Sequence, residues 1–136
     1  MHTKETSNER VMPGKGETIL AVDDDKALLP AIVDLLTMIG YRMITAENGQ
    51  MAVETYRRNR PDAVLMDRNM PCMNGVEAAR QILEFDPEAK VVLLSGFDAS
   101  GYDGIEAKLL KQIKAYLTKP IQIKELSEVL SGVING

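Results

Sequence analysis

Cysteine, histidine and long apolar runs are scarce in this sequence. Among its 136 residues there is one cysteine, Cys72, which cannot form an internal disulfide, and one histidine, His2. Charged residues interrupt every apolar run well before the ~18 residues of a membrane-spanning helix, and no secretory signal pattern opens the chain. These absences argue against a disulfide scaffold and a membrane span, and they predict a cytoplasmic protein.

An excess of positive charge is also lacking. The formal net charge is −4, which is unfavourable for a chain whose main affinity comes from neutralising nucleic-acid phosphates. Hydrophobic residues at 45% and charged residues at 26% are typical of an ordinary globular protein, and the length fits one domain. We predict a flexible, polar N-terminal tail over residues 1–16 and a single domain over residues 17–136, without affinity for nucleic acid.

From residue 17 onward, short aliphatic or β-branched runs alternate with longer stretches of helical period. Such alternation is typical of βα units that form a parallel sheet. The predicted strands are Thr18–Val22, Arg42–Ala46, Ala63–Met66, Val91–Ser95 and Ala115–Thr118. The predicted helices run from near Ala27 to Gly40, from Gly49 to Asn59, from Gly75 to Phe85, from near Ile105 after a mobile connection, and from Ile123 to Val133. The pattern predicts an α/β fold with a doubly wound, five-stranded parallel sheet.

Polar residues follow four of these strands. Asp23 and Asp24 come after the first strand, Asp67 after the third, Ser95 ends the fourth, and Lys119 follows the fifth. Each has a structural explanation on its own: an acidic loop, the opening of a turn, a strand end or a solvated lysine. In a doubly wound sheet, however, the carboxyl ends of the strands share one edge, so these groups are expected to converge there.

Convergence would place three carboxylates together. Two unit charges ~4 Å apart repel by about 4 kcal/mol at an effective dielectric near 20, so the cluster requires cations. Oxygen ligands from Asp23, Asp24, Asp67 and a backbone carbonyl near Asn69 favour a hard divalent ion, Mg²⁺ or Mn²⁺. Asp25 is interpreted instead as a helix N-cap.

A divalent ion, an ammonium and a hydroxyl together can surround the oxygens of a phosphoryl group. Phosphoryl transfer depends mainly on positioning and charge neutralisation, and an aspartate carboxylate can serve as its nucleophile. Asp67 is the natural acceptor in this arrangement, with Lys119 and Ser95 beside it.

Four motifs, ILAVDDD, DAVLMDRNMPCMNG, VVLLSG and AYLTKP, resemble the receiver domain of two-component response regulators over about residues 17 to 132. The resemblance implies a flavodoxin-like (CheY-like) sheet with strand order 2-1-3-4-5. It also implies a phosphorelay protein that takes a phosphoryl group from a sensor histidine kinase or phosphotransfer protein, catalyses its own phosphorylation and dephosphorylation, and acts on a downstream protein target.

The resemblance also implies a role for each matching residue. Asp67 would be the phosphorylated residue and a metal ligand, Ser95 and Lys119 would bind the phosphoryl oxygens, and Tyr116 would turn inward as Ser95 moves. That switch would remodel the surface of the fourth helix, fifth strand and fifth helix. The remaining metal ligands would be Asp23, Asp24 and the backbone carbonyl of Asn69.

An alternative hypothesis is a small phosphatase or phosphotransferase with an aspartyl-phosphate intermediate. The chain length leaves no room for a cap or substrate pocket, and Asn69 stands where such enzymes commonly have a second aspartate. A nucleotide-binding module is disfavoured because no G-x-G-x-x-G motif follows any predicted strand. Residues 106–125 hold five lysines against two glutamates, which indicates either a solvated helix face or a surface for an acidic partner.

Overall fold

Strands and helices alternate along the chain. The computed structural model describes residues 11–68, 70, 73–96 and 105–136. The strands are β1 (Thr18–Val22), β2 (Arg42–Ala46), β3 (Ala63–Asp67), β4 (Val91–Ser95) and β5 (Ala115–Thr118). The helices are α1 (Leu28–Met38), α2 (Gly49–Asn59), α3 (Gly75–Phe85), α4 (Ala107–Gln112) and α5 (Ile123–Asn135). Within the described ranges, no helix combines the length and apolarity needed to cross a bilayer.

The strands form one parallel sheet in the order β2-β1-β3-β4-β5. Val22 of β1 pairs with Met66 of β3, and Ser95 of β4 pairs with Thr118 of β5. The carboxyl ends of these four strands therefore lie at one edge of the sheet. The predicted fold class and strand order are confirmed.

Side chains of β1 alternate between two hydrophobic clusters, one on each face of the sheet. Leu20 and Val22 pack in the cluster under α2, α3 and α4, whereas Ile19 and Ala21 pack in the cluster under α1 and α5. Strands that are buried on both faces read as continuous apolar runs, which is why VVLL and AVLM were recognisable as strands.

Side-chain caps set where two helices, α2 and α3, begin. Asn48 accepts a hydrogen bond from the Met51 N–H at 2.8 Å, and Asn74 accepts one from the Glu77 N–H at 2.9 Å. The predicted bounds of α2 and α3 are confirmed. Before α1, Asp25 Oδ1 accepts from the N–H groups of Ala27 and Leu28, and the helix begins at Leu28.

Four predicted boundaries were wrong by one or two residues. α1 ends at Met38 rather than at Gly40, which follows the helix with a φ of +114°. β3 includes Asp67, because the ladder to β4 continues through the Arg68 N–H, which donates to the Leu94 carbonyl at 2.7 Å. The fourth helix begins at Ala107 rather than near Ile105, whose side chain is buried while Glu106 is extended. The fifth helix ends two residues later than predicted, at Asn135. The connection before this helix was predicted to be mobile. Its residues 97–104 lie outside the described part of the chain.

Residues 11–16 precede β1 and were predicted to belong to a flexible tail. In this segment the Gly14 N–H donates to the Ile39 carbonyl at 2.7 Å, and the Gly16 N–H donates to the Gly40 carbonyl at 2.8 Å. The segment is therefore hydrogen-bonded to the turn that follows α1. Residues 1–10 lie outside the described range, and the domain boundary at residue 17 stays a prediction.

The cap of α2 makes a testable contribution to stability. Replacing Asn48 with Ala removes the acceptor for the Met51 N–H, so the free energy of unfolding should fall by about 1 kcal/mol in urea titrations. Asn59→Ala, at the exposed last position of the same helix, is the matched control and should change it by less than about 0.5 kcal/mol. Equal losses in both variants would contradict the assignment of Asn48 as the cap.

Candidate functional site

Three carboxylates meet where β1 and β3 end. Val22 and Met66 are paired in the sheet. The residues that follow them, Asp23 and Asp67, therefore lie side by side at the carboxyl edge of the sheet. Asp23 is 2% exposed and Asp67 is 3% exposed, whereas Asp24 is exposed to solvent. One carboxylate oxygen from each of the three lies within 4.8 Å of the others. The predicted convergence of these acids is therefore present.

Lys119, directly after β5, supplies a cation to this group. Its Nζ atom lies 3.1 Å from Asp23 Oδ2 and 3.3 Å from Asp67 Oδ1, and the side chain is 24% exposed. Burial alone would lower the pKa of Lys119, but the charge of Asp67 and the hydrogen bond that Lys119 donates to Asp23 outweigh it and raise the pKa above its usual value. Lys119 is therefore held in its charged form between two buried carboxylates.

Asp25 stands beside the cluster but has a different role. Its backbone N–H donates to Asp23 Oδ1 at 2.9 Å, while its carboxylate accepts from the N–H groups that precede α1. The donors on Leu28 and Ala27 lower the pKa of Asp25. Asp25 thus holds Asp23 in place through its backbone, and its side chain binds the N–H groups of the turn that leads into α1. The N-cap position itself is Ala27, which makes no side-chain cap bond, so the prediction of Asp25 as the N-cap was wrong.

Gly75, at the start of α3, is a site-forming residue that sequence reasoning missed. A Cβ atom at this position would lie 2.0 Å from the carbonyl oxygen of Asp67, and the Gly75 N–H donates to the Arg68 carbonyl at 2.9 Å. Gly49, at the start of α2, also lies against a backbone carbonyl, because a Cβ there would lie 2.5 Å from the Met73 carbonyl oxygen. Both glycines follow a capping asparagine, and this repeated Asn-Gly pair was the available signal.

Two of the other predicted site residues, Ser95 and Tyr116, lie on the neighbouring strands β4 and β5. Ser95 ends β4 at the same edge of the sheet, and its carbonyl accepts from the Lys119 N–H at 2.8 Å. Tyr116 lies on β5, packs against the hydrophobic cluster under α4, and donates its hydroxyl to the Leu110 carbonyl at 2.8 Å. Asn69, the predicted source of a carbonyl ligand, lies outside the described residues.

The donor set fits a hard divalent cation. It consists of carboxylate oxygens that are close enough to share one ion, and two of the three carboxylates are withdrawn from water. Oxygen donors with an exposed side for retained waters favour Mg²⁺ or Mn²⁺ over a metal that prefers sulfur or nitrogen. The geometry therefore combines a possible metal site with a fixed ammonium group next to a buried carboxylate.

Comparison with known proteins gives the family. Residues 19–131 match the response regulator receiver domain. The chemotaxis protein CheY of Thermotoga maritima is 36% identical over 123 residues, which are 87% of this chain and 98% of that protein. The chain belongs to the receiver-domain family of two-component signalling systems, in which phosphorylation of an aspartate is typical.

Solved structures support the same assignment. The receiver domain of a sensor histidine kinase from Pseudomonas aeruginosa is 29% identical, with a TM-score of 0.80 over 89% of this chain and 99% of that one, and it holds a magnesium ion in its active-site cleft. The response regulator TrrA of Thermotoga maritima, solved with Mg²⁺ and BeF, is 28% identical with a TM-score of 0.78 over 86% and 98% of the two chains. Two receiver structures similar to this chain thus contain Mg²⁺, one of them in its active-site cleft.

Removing the ammonium group should destabilise the metal-free protein. Lys119→Met keeps the aliphatic stem but leaves Asp23 and Asp67 buried without a counterion, so in EDTA the free energy of unfolding should fall by about 2 kcal/mol. Lys124→Met is the control, because Lys124 pairs with Glu128 on the exposed side of α5, where the loss should stay below about 1 kcal/mol. Urea titrations at neutral pH measure both, and equal stability of Lys119→Met and wild type would refute the predicted effect.

Proposed function

We propose that this receiver domain accepts a phosphoryl group on Asp67 from a sensor histidine kinase or a phosphotransfer protein, in a Mg²⁺-dependent reaction. The observation that carries the proposal is the position of the Asp67 carboxylate. It is buried, and one of its oxygens lies 3.3 Å from the Lys119 ammonium. One carboxylate oxygen each of Asp67, Asp23 and Asp24 lies within 4.8 Å of the other two. A nucleophile, a fixed cation and a possible metal site are therefore adjacent.

The transfer requires few groups, since positioning and charge neutralisation supply most of the catalysis. A carboxylate oxygen of Asp67 attacks phosphorus, an O–P bond forms, and the N–P bond to the donor histidine breaks as its electron pair leaves with the imidazole, which takes up a proton. Water later attacks the acyl phosphate and releases inorganic phosphate and the Asp67 carboxylate. The protein would in this way catalyse both its phosphorylation and its dephosphorylation.

The charge that develops on the phosphoryl oxygens needs two cations. Lys119 Nζ already lies beside the attacking carboxylate and can turn from Asp67 toward the phosphoryl group without leaving Asp23. Asp23, Asp24 and Asp67 would hold Mg²⁺, which supplies charge neutralisation at the phosphoryl oxygens when bound. The Asn69 carbonyl remains a predicted further ligand.

Ser95 and Tyr116 are proposed to carry the signal to the surface. Ser95 would donate its hydroxyl to a phosphoryl oxygen, and its backbone bond to Lys119 supports a joint movement of the two strand ends. Tyr116 connects β5 to α4 through its bond to the Leu110 carbonyl, so a change in its side-chain position would reach α4. The surface formed by α4, β5 and α5 would then bind a downstream protein differently in the phosphorylated state.

Phosphorylation of Asp67 is directly measurable. Acetyl phosphate with Mg²⁺ should add one phosphoryl group to the wild-type protein by intact mass spectrometry, because a small donor needs only the site itself. Asp67→Asn should abolish the adduct, whereas Asp34→Asn, an exposed change on α1, should retain it. An unmodified wild type under these conditions would overturn the proposal, whereas many-fold hydrolysis of a small phosphate monoester, in place of an acyl phosphate, would favour the small phosphatase instead.

Metal binding should appear as stability. A ligand that binds only the folded state stabilises it by RT ln(1 + [L]/Kd), about 2.7 kcal/mol at a hundredfold excess over Kd. Mg²⁺ should therefore raise the free energy of unfolding of wild type and of Asp34→Asn in urea titrations. Asp24→Asn should lose most of this increment, while its metal-free stability should stay equal or rise, because Asp24 is exposed and its charge repels the other two carboxylates. The same increment in Asp24→Asn as in wild type would exclude Asp24 as a ligand.

A further inference from the structure

The segment over residues 12–16, termed the N-terminal strap below, lies before the family match at residues 19–131 and away from the acidic cluster. Two of its N–H groups donate to the turn after α1, as described above. A third, that of Met12, donates to the hydroxyl oxygen of Ser127 at 3.1 Å. One short segment is therefore hydrogen-bonded both to the end of α1 and to α5.

The strap fits closely against a buried aromatic ring. A Cβ atom built on Gly14 would lie 2.8 Å from the ring of Tyr41, which is 4% exposed and belongs to the hydrophobic cluster under α1 and α5. A Cβ on Gly40 would lie 2.6 Å from the Gly14 carbonyl oxygen, and Gly40 has a φ of +114°. Such contacts leave no space for a side chain on either glycine. The strap is therefore closely packed against the domain at this point.

Ser127 gives the strap a polar anchor on α5. Among the described residues, the buried polar or charged residues are Asp23, Asp67 and Ser127, and Ser127 is 0% exposed. Its hydroxyl donates to the Lys124 carbonyl at 2.9 Å and accepts from the Met12 N–H. A hydroxyl in the core is stable when both its donor and its acceptor capacity are used, and the strap supplies the donor.

We propose that the N-terminal strap is a clasp that holds the first half of α5 against the turn after α1, and that its release loosens α5 while the acidic cluster stays intact. The hydrogen bonds of the strap join it to the turn after α1 and to α5, which cover the same face of the sheet. The acidic cluster is held instead by β1, β3 and Lys119. A ligand that binds residues 12–16, or cleavage after the exposed Lys15, would therefore act on α5 without touching Asp67.

Hydrogen exchange on the full chain tests the clasp. Gly14→Ala adds one methyl group against the Tyr41 ring, so exchange at the amides of Met12 and Gly16 should accelerate at least tenfold and that in the first half of α5 severalfold. Gly132→Ala is the control for an added methyl group, because its Cβ would enter open space; since Ala favours a helix over Gly, exchange in α5 should stay equal or slow in this variant. Trypsin should cleave after Lys15 faster in Gly14→Ala than in either wild type or the control.

A second variant removes only the anchor. Ser127→Ala should release the Met12 amide to fast exchange, whereas Ser131→Ala, one turn later on α5, should leave it protected. Acetyl phosphate should still phosphorylate Gly14→Ala as it does wild type, so failure of the strap is separable from failure of the phosphorylation site. Unchanged exchange at Met12 and in α5 in both Gly14→Ala and Ser127→Ala would overturn the clasp.

Discussion

The fold and the site both depend on one ammonium group placed between two buried carboxylates. Lys119 contacts Asp23 and Asp67, which lie on separate strands and are almost fully withdrawn from water. Burying a carboxylate without a partner is strongly unfavourable, and two side by side add about 4 kcal/mol of repulsion at ~4 Å and an effective dielectric near 20. One lysine balances only part of this charge. The remaining negative potential would favour a divalent cation, and that cation would in turn favour the proposed phosphoryl transfer to Asp67.

The sheet topology explains why these residues meet. β1 lies between β2 and β3, so the chain reverses its winding beside β1, and a crevice forms at the carboxyl ends of β1 and β3. The helices that border this crevice begin with the same device, an asparagine that caps the helix and a glycine that permits close approach. At α3 the glycine lets the helix start against the Asp67 carbonyl. The start of α3 and the position of the Asp67 backbone are therefore coupled.

Much of the fold could be predicted from sequence because its signals are local. Strands buried on both faces read as short apolar runs, and the predicted bounds of α2 and α3 agree with the observed ones. The convergence of Asp23, Asp67 and Lys119 followed from topology. The strap could not be predicted, since a polar segment with several glycines reads as a tail until the Tyr41 ring and the Ser127 hydroxyl are placed beside it. Gly75 was missed for the same reason, because its neighbour is a carbonyl on a different element.

The shortness of α4 has a thermodynamic consequence. Its six residues make less than two turns, and the backbone bonds that define it include those from Leu110 to Glu106 and from Ile113 to Leu109. A helix this short is not stable in water through its own hydrogen bonds. It is stabilised by contacts with the rest of the domain, namely the burial of Leu109 and the hydrogen bond from the Tyr116 hydroxyl to the Leu110 carbonyl. Displacing a single aromatic ring would remove one of these external supports. We therefore expect α4 to open at a lower free energy than the longer helices, so that a change at one aromatic ring would alter the fraction of molecules in which α4 is formed.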